Sequence, residues 1–187
     1  MPKLYFSPFF ALLLSACNGS SGTDTGPCSD CDTASNSNDS GDVYWDGPTV
    51  IINEFMADNA TTIQSPNGEY SDWIELHNLS SERISLAGWS ITDDLEEPEM
   101  YVLGDTFIDP NGYELLWADD IAAPGHVPFR LGKDGEEIGL YDSDGNAHTR
   151  LIYEAQATDW SAARIPDGST IWEIVDNATP GASNGGP

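Results

Sequence analysis

Basic side chains are scarce: 6 Lys and Arg stand against 32 Asp and Glu, and the formal net charge is -26. A free-standing nucleic-acid binder needs a cationic face to neutralise phosphate. Here Arg83, Arg130, Lys133, Arg150 and Arg164 would all have to gather on one side to supply it, so no nucleic-acid partner is expected. No Gly-x-y repeat and no heptad pattern runs through the chain, which excludes collagen-like and coiled-coil architectures. Common catalytic motifs are missing too, with no H-E-x-x-H, no G-x-S-x-G and no G-x-x-x-x-G-K-[ST]. The histidines, His77, His126 and His148, fit no recognisable motif. What is present is 39% hydrophobic and 10% aromatic, enough to close one packed core despite the charge.

The apolar run at the N-terminus, Leu4 to Leu14, is 11 residues long. A membrane-spanning helix needs about 20, but the length suits the hydrophobic stretch of a signal peptide. It ends in Leu14-Ser15-Ala16-Cys17, which resembles the bacterial lipobox. That resemblance implies a signal peptide over 1–16, cleaved after Ala16, with lipidation of Cys17 on its sulfur and on its new amine. Two or more acyl chains suffice for stable anchoring. An ordinary signal peptide with an incidental cysteine is the alternative. Asn18 stands after Cys17 in place of Asp, which favours sorting to an outer membrane. The expected location is therefore the cell envelope, on the periplasmic face or the surface of the outer membrane.

Residues 17–47 read as the lipidated cysteine and an acidic Gly/Ser/Asp-rich linker. Positions 18–42 contain no Leu, Ile, Val, Met or aromatic residue, so nothing there repays the entropy of ordering, and a disordered tether is expected. A flexible chain of that length reaches about 25–30 Å. Cys28 and Cys31 lie inside it as Pro-Cys-Ser-Asp-Cys-Asp. A disulfide closing this small loop suits an oxidising compartment. Idle thiols are the plain alternative. A zinc or redox role lacks further ligands or a βαβ context nearby.

From 48 to 184 short runs rich in Val, Ile, Tyr, Trp and Leu alternate with Asn67-Gly68, Asn111-Gly112, Asp134-Gly135, Asp144-Gly145 and Asp167-Gly168. Both residue pairs tolerate the positive φ of tight hairpins. The pattern predicts one all-β domain, a meander or sandwich. In Asp72–His77, Ile74 and Leu76 share one face while Trp73, Glu75 and His77 share the other. In Tyr113–Trp117, Tyr113, Leu115 and Trp117 line one face, and in Glu137–Asp142 Ile138 and Leu140 do so. Further strands are expected at 83–86, 89–92, 100–103, 149–153, 161–165 and 171–175, and no helix.

Five ordered blocks resemble the lamin-tail domain family. They are Val50-Ile-Ile-Asn-Glu-Phe55 with Asn59, Asp72-Trp-Ile-Glu-Leu-His-Asn78, Leu86-Ala-Gly-Trp89 with Asp93, Phe129-Arg-Leu131 followed by Gly135, Gly139 and Leu140, and Arg164-Ile-Pro-Asp-Gly168 followed by Thr179-Pro-Gly181 and Asn184. The resemblance implies an immunoglobulin-like β-sandwich and an interaction or tethering role, with no shared catalytic set to transfer. His77, where an aromatic residue is common, and the acidic insertion after Trp89 depart from the family pattern. Trp73, Trp89 and Trp117 are expected in the core, Asn53 and Asn78 at buried backbone near strand ends, and Arg164 on a carboxylate or on carbonyls.

Candidate chemistry rests on carboxylates. Asp93, Asp94, Glu96, Glu97 and Glu99 crowd one run, and Asp119-Asp120 adds a pair. Calcium takes about 6–8 oxygen ligands, which such a loop supplies in kind; a solvated acidic loop is the plain alternative. Asp142-Ser-Asp144-Gly-Asn146 half resembles the start of an EF-hand loop but reads better as a hairpin turn. Glu54 and Glu75 fall on strands that can be neighbours, and glycosidases use carboxyl pairs about 5–9.5 Å apart. The expected function is a non-catalytic, membrane-anchored lipoprotein whose domain binds or tethers a protein or envelope partner. The alternatives are a calcium-dependent adhesion or carbohydrate-binding module and a carboxylate hydrolase. No cofactor is expected other than, in the first alternative, Ca2+.

Overall fold

The computed structural model describes residues 49–185. The expected signal peptide and the whole 17–47 linker, with Cys17, Cys28 and Cys31, lie outside the described residues. Twelve strands follow one another: β1 (Val50–Met56), β2 (Asp72–Asn78), β3 (Ile84–Ser85), β4 (Ser90–Thr92), β5 (Tyr101–Val102), β6 (Phe107–Ile108), β7 (Tyr113–Ala118), β8 (His126–Val127), β9 (Gly135–Tyr141), β10 (Ala147–Glu154), β11 (Ser161–Arg164) and β12 (Trp172–Val175). Among the described residues there is no helix.

The strands form a six-stranded sheet in the order β12-β11-β1-β2-β7-β8, a four-stranded sheet β10-β9-β4-β5 and a small pair β3-β6. Every ladder is antiparallel except β7 with β8. One apolar core joins the two larger sheets. Val50, Ile52, Phe55, Ile74, Leu76 and Leu116 come from the first sheet, and Ile91, Ile138, Leu140 and Tyr153 from the second. This is the layered arrangement of a β-sandwich, in which alternate side chains of two sheets interdigitate.

Period two in β2 and β7 behaves as the sequence predicts, with an addition. Ile74, Leu76 and Leu116 enter the main core, while Trp73 and Trp117 turn to the other face of the six-stranded sheet. That face is not wet. Trp73, Trp117 and Met56 form a second buried cluster, with Ile63, Leu115 and Ala178 packed on it. Only Trp89 of the three expected core tryptophans sits in the main core. Alternation in the sequence therefore does not mark a wet outer face here, since β2 is buried at every position but Asp72.

Several local expectations need correction. β6 and β8 are two-residue strands that propensity does not single out. Asp134-Gly135 is not a hairpin tip: Gly135 closes a turn on Gly132 and opens β9. Asn111-Gly112 joins β6 to β7, which pair with other strands. Asp144-Gly145 and Asp167-Gly168 do connect paired strands, β9 with β10 and β11 with β12.

Candidate functional site

The outer face of the six-stranded sheet holds the chain's most unusual chemistry. Register in β1 slips between Ile52 and Glu54, so Asn53 is an extra residue. A bulge of this kind re-aims side chains and lets two neighbours serve the same region. Glu54 then stands opposite Glu75 of β2. Asn53, Glu54 and Glu75 are all 0% exposed. The carboxyl pair expected on adjacent strands is therefore real, but it is sealed from solvent.

The cover is residues 178–185, hereafter the C-terminal strap. Glu75 Oε2 accepts the Gly181 amide at 2.7 Å and Oε1 accepts Asn53 Nδ2 at 3.2 Å. Glu54 Oε1 accepts the Ser161 hydroxyl. The Thr179 amide lies 3.1 Å from Glu54 Oε2, and so does Thr179 Oγ1. The same Oγ1 is 2.6 Å from Asn184 Oδ1. Asn184 Nδ2 donates to the Asn53 carbonyl at 3.1 Å. A third carboxyl group, Asp167 in the β11–β12 turn, accepts Asn53 Nδ2, the Asn184 amide and the Tyr113 hydroxyl.

Burial dominates the electrostatics here. It pushes Glu75 up to about 8 against the lowering effect of Gly181 and Asn53, with Glu54 and Asp167 adding repulsion. Glu54 is also raised, chiefly by burial, although Ser161 and Thr179 oppose the shift. Asp167 goes the other way. Burial pushes it up, but hydrogen bonds from Ser183, Asn53, Asn184 and Tyr113 together outweigh this and hold it below its ordinary value. Burial, reinforced by the hydrogen bond to Asp167, drives Tyr113 up to about 12. Two carboxyl groups raised by burial and one held low by hydrogen bonds thus share a small dry volume, and among the described residues no cation is one of their hydrogen-bond partners. This is how like charges coexist when they cannot all ionise.

Asn53, expected to satisfy backbone at a strand end, sits inside β1: its Oδ1 accepts the Gly168 amide at 3.3 Å, and its Nδ2 donates to the carboxyl groups of Glu75 and Asp167. Asn78 does the expected work. Its Nδ2 reaches the carbonyls of Glu82, Ile108 and Asp109, and its Oδ1 accepts the Ser80 amide and hydroxyl. Arg164 caps the carbonyls of Ile52 and Ser169 and, among the described residues, makes no ion pair with a carboxylate.

The acidic run is built as a folded cover on the four-stranded sheet. Thr92 Oγ1 accepts the Asp94 amide and donates to the Asp94 carbonyl, and the Leu95 amide donates to Glu137. Asp94 Oδ1 takes the Glu96 amide, and Ser90 donates to the Pro98 carbonyl. Asp93 is raised mainly by its burial, with Asp94 adding repulsion. Glu96, Glu97 and Glu99 are exposed. Among the described residues no group of three or more His, Cys, Asp or Glu is arranged to hold a metal ion, so the structure does not assemble Asp93, Asp94, Glu96, Glu97 and Glu99 into a calcium ligand set.

The Asp142–Asn146 stretch is a hairpin turn. Hydrogen bonds from the Asn146 side chain first, and then from the amides of Asn146 and Asp144, hold Asp142 near 2. His77 stacks on Tyr113 at 4.3 Å, His126 bonds Asp119 at 2.8 Å, and His148 donates to the Val50 carbonyl. The His126–Asp119 pair has no signal in the sequence, because β8 places it beside Trp117 only through the parallel β7–β8 pairing.

No curated protein matches the chain. The family described as Lamin Tail Domain matches residues 46–155, which take in the acidic run and end before β11, β12 and the strap. Its immunoglobulin-like fold, often used for protein interaction, is the architecture seen here, and the chain belongs to the lamin-tail domain family.

Proposed function

We propose that the chain is an envelope lipoprotein whose lamin-tail domain binds or tethers a protein or envelope partner. In this reading residues 1–16 direct export, Cys17 carries the acyl chains, Cys28 and Cys31 form a disulfide, and 17–47 hold the domain off the lipid surface. The observation that favours a binding over a hydrolytic role is the sealed state of Glu54 and Glu75. Both are fully buried, and their oxygens are engaged by Asn53, Ser161, Thr179 and Gly181. A glycosidase needs a substrate between its carboxyl groups, and here the strap occupies that position.

A partner surface is available elsewhere. β12 is an edge strand, and it presents Ile174 at 45% exposure next to Ile171 at 60%. Open edges with apolar side chains are places where another chain adds on. Metabolic labelling with a palmitate analogue tests the anchor: label is expected on the wild-type chain and absent from Cys17→Ser, and label that persists in that variant defeats it. Cross-linking in intact envelopes tests the domain. Discrete adducts are expected that an Ile174→Lys substitution weakens, and a cross-linking pattern without adducts removes the binding role.

A further inference from the structure

The hydrogen-bond geometry around Thr179 fixes a proton. Thr179 Oγ1 carries one hydrogen and faces two oxygens, Asn184 Oδ1 at 2.6 Å and Glu54 Oε2 at 3.1 Å. Asn184 is oriented unambiguously, because its Nδ2 donates to the Asn53 carbonyl. Its Oδ1 is thus an acceptor only, and the short contact takes the threonine proton. The remaining 3.1 Å contact, between Thr179 Oγ1 and Glu54 Oε2, is then left without the threonine proton, and a protonated carboxyl group would supply one. Ser161 donates to Glu54 Oε1, and the Thr179 amide approaches both carboxyl oxygens, Oε2 at 3.1 Å and Oε1 at 3.3 Å.

We propose that Glu54 is held as a neutral carboxylic acid that donates to Thr179, and that this proton fastens residues 178–185 as a releasable strap over the Met56–Trp73–Trp117 cluster.

The packing says what release would uncover. Ala178, at the start of the strap, lies against that cluster, whose members are at most 6% exposed. The amides of Thr179 and Gly181 and both functional groups of Asn184 are tied to the outer face of β1 and β2. Around Glu54 stand Glu75 of β2, Asp167 of the β11–β12 turn, Ser161 of β11 and, through Asp167, Tyr113 of β7. His77, on the same face of β2, is committed to the Gly112 carbonyl. Arg164 of β11 faces carbonyls, so none of these groups offsets a second negative charge beside Glu75.

The direction of the switch follows. Glu54 and Glu75 are both raised by burial, so their contribution to fastening is complete below the ordinary carboxylate range and is lost as pH rises, through about 8 for Glu75. Loss of the Glu54 proton breaks the relay to Thr179 and places two like charges opposite each other, which is unfavourable on directly paired strand positions.

The test is amide hydrogen exchange on the full chain, read by mass spectrometry in the 178–185 peptide and scaled for intrinsic exchange. Between about pH 6 and about pH 9.5 the strap is expected to lose protection at least about tenfold while the β9–β10 hairpin keeps its own. Glu54→Gln supplies an amide donor that does not titrate while Glu75 remains, so the strap of that variant is expected to lose less protection than the wild type between the two values. Unchanged wild-type protection at the higher pH overturns the proposal, and so does a strap that is already open at the lower pH in Glu54→Gln. An infrared measurement on the wild type does not depend on the variant's folding. The carbonyl stretch of an un-ionised carboxylic acid is expected at neutral pH and should vanish on the alkaline side; its absence at neutral pH overturns the assignment.

Discussion

Arg164 lies over Trp172, its guanidinium carbon 4.5 Å from the ring centroid. The same side chain reaches back to the Ile52 carbonyl at 2.8 Å, at the residue where β1 bulges. One cation therefore ties three things together: the β11–β12 turn through Ser169, the edge strand through Trp172, and the bulge that sets up Asn53 and Glu54. Burial drops it to about 10, a cost that its carbonyl acceptors and the ring offset in part.

Arg164→Met is expected to lower stability by about 1–3 kcal/mol, because two part-buried carbonyls lose a charge-assisted donor. Arg164→Lys should recover only part of this, since a single ammonium cannot reproduce the planar fork and the stacking together. Urea denaturation of the three chains checks the order, and equal midpoints for Arg and Lys would show that charge alone matters.

Global stability should depend on pH in an unusual sense. Most acidic proteins lose stability on acidification as hydrogen-bonded carboxylates protonate. Here Glu75 and Glu54 are raised, so their contribution is largest below the ordinary carboxylate range and declines toward about 8. Asp167 is lowered, so its contribution is present above that range and is lost only in strong acid. Asp159, held near 2 by Thr61 and its neighbours, behaves like Asp167. Thermal melts are expected to peak on the mildly acidic side of neutrality and to fall by about pH 8–9. A maximum in the alkaline range would contradict the assignment of Glu54 and Glu75.

Asn78 has a reach that its position does not advertise. It is 0% exposed at the end of β2 and gathers the carbonyls of Glu82, Ile108 and Asp109 around one amide. Removing it leaves the buried Ile108 carbonyl and two part-buried carbonyls without this donor, and a buried acceptor left unpaired costs on the order of 1–3 kcal/mol. Asn78→Ala is expected to destabilise by about 2–5 kcal/mol, and Asn78→Asp to be no better, since a carboxylate cannot donate to carbonyls. A loss under about 1 kcal/mol in chemical denaturation would show that solvent replaces the amide.

The fold was legible because apolar positions alternate along the strands: Ile74 and Leu76 on either side of Glu75, or Ile138 and Leu140 around Gly139. It was illegible where both faces are dry. Trp73 and Trp117 read as core residues, and burial confirms that, but periodicity cannot say that they belong to a second cluster behind the sheet. Glu54 and Glu75 could be guessed to be neighbours from strand order alone. Their sealing could not, because it depends on Thr179, Gly181 and Asn184, more than 100 positions along the chain. Short strands such as β6 and β8 escape notice for a related reason: two residues carry no period, and only the partner strand defines them.

Gly139 decides whether the acidic cover can close. It lies in the middle of β9, where a Cβ would come within 2.7 Å of the Tyr141 ring, 2.9 Å of the Leu95 methyl and 3.0 Å of the Thr92 methyl. Leu95 is the apolar side chain that seats the acidic run on this sheet, and its amide is held by Glu137. Gly139→Ala forces one of these groups to move. The ring and Thr92 belong to strands, whereas Leu95 belongs to a loop, so the loop gives way first. The expected result is a modest global loss, about 1–3 kcal/mol for overpacking, combined with a large local one. Glu-specific proteolysis at Glu96 and Glu97 should accelerate in Gly139→Ala well beyond what the global loss explains. Leu95→Ala should show the same accelerated cleavage without the clash, and combining the two substitutions should relieve most of the overpacking. If Gly139→Ala is cut no faster than the wild type, Leu95 is not what holds the run in place.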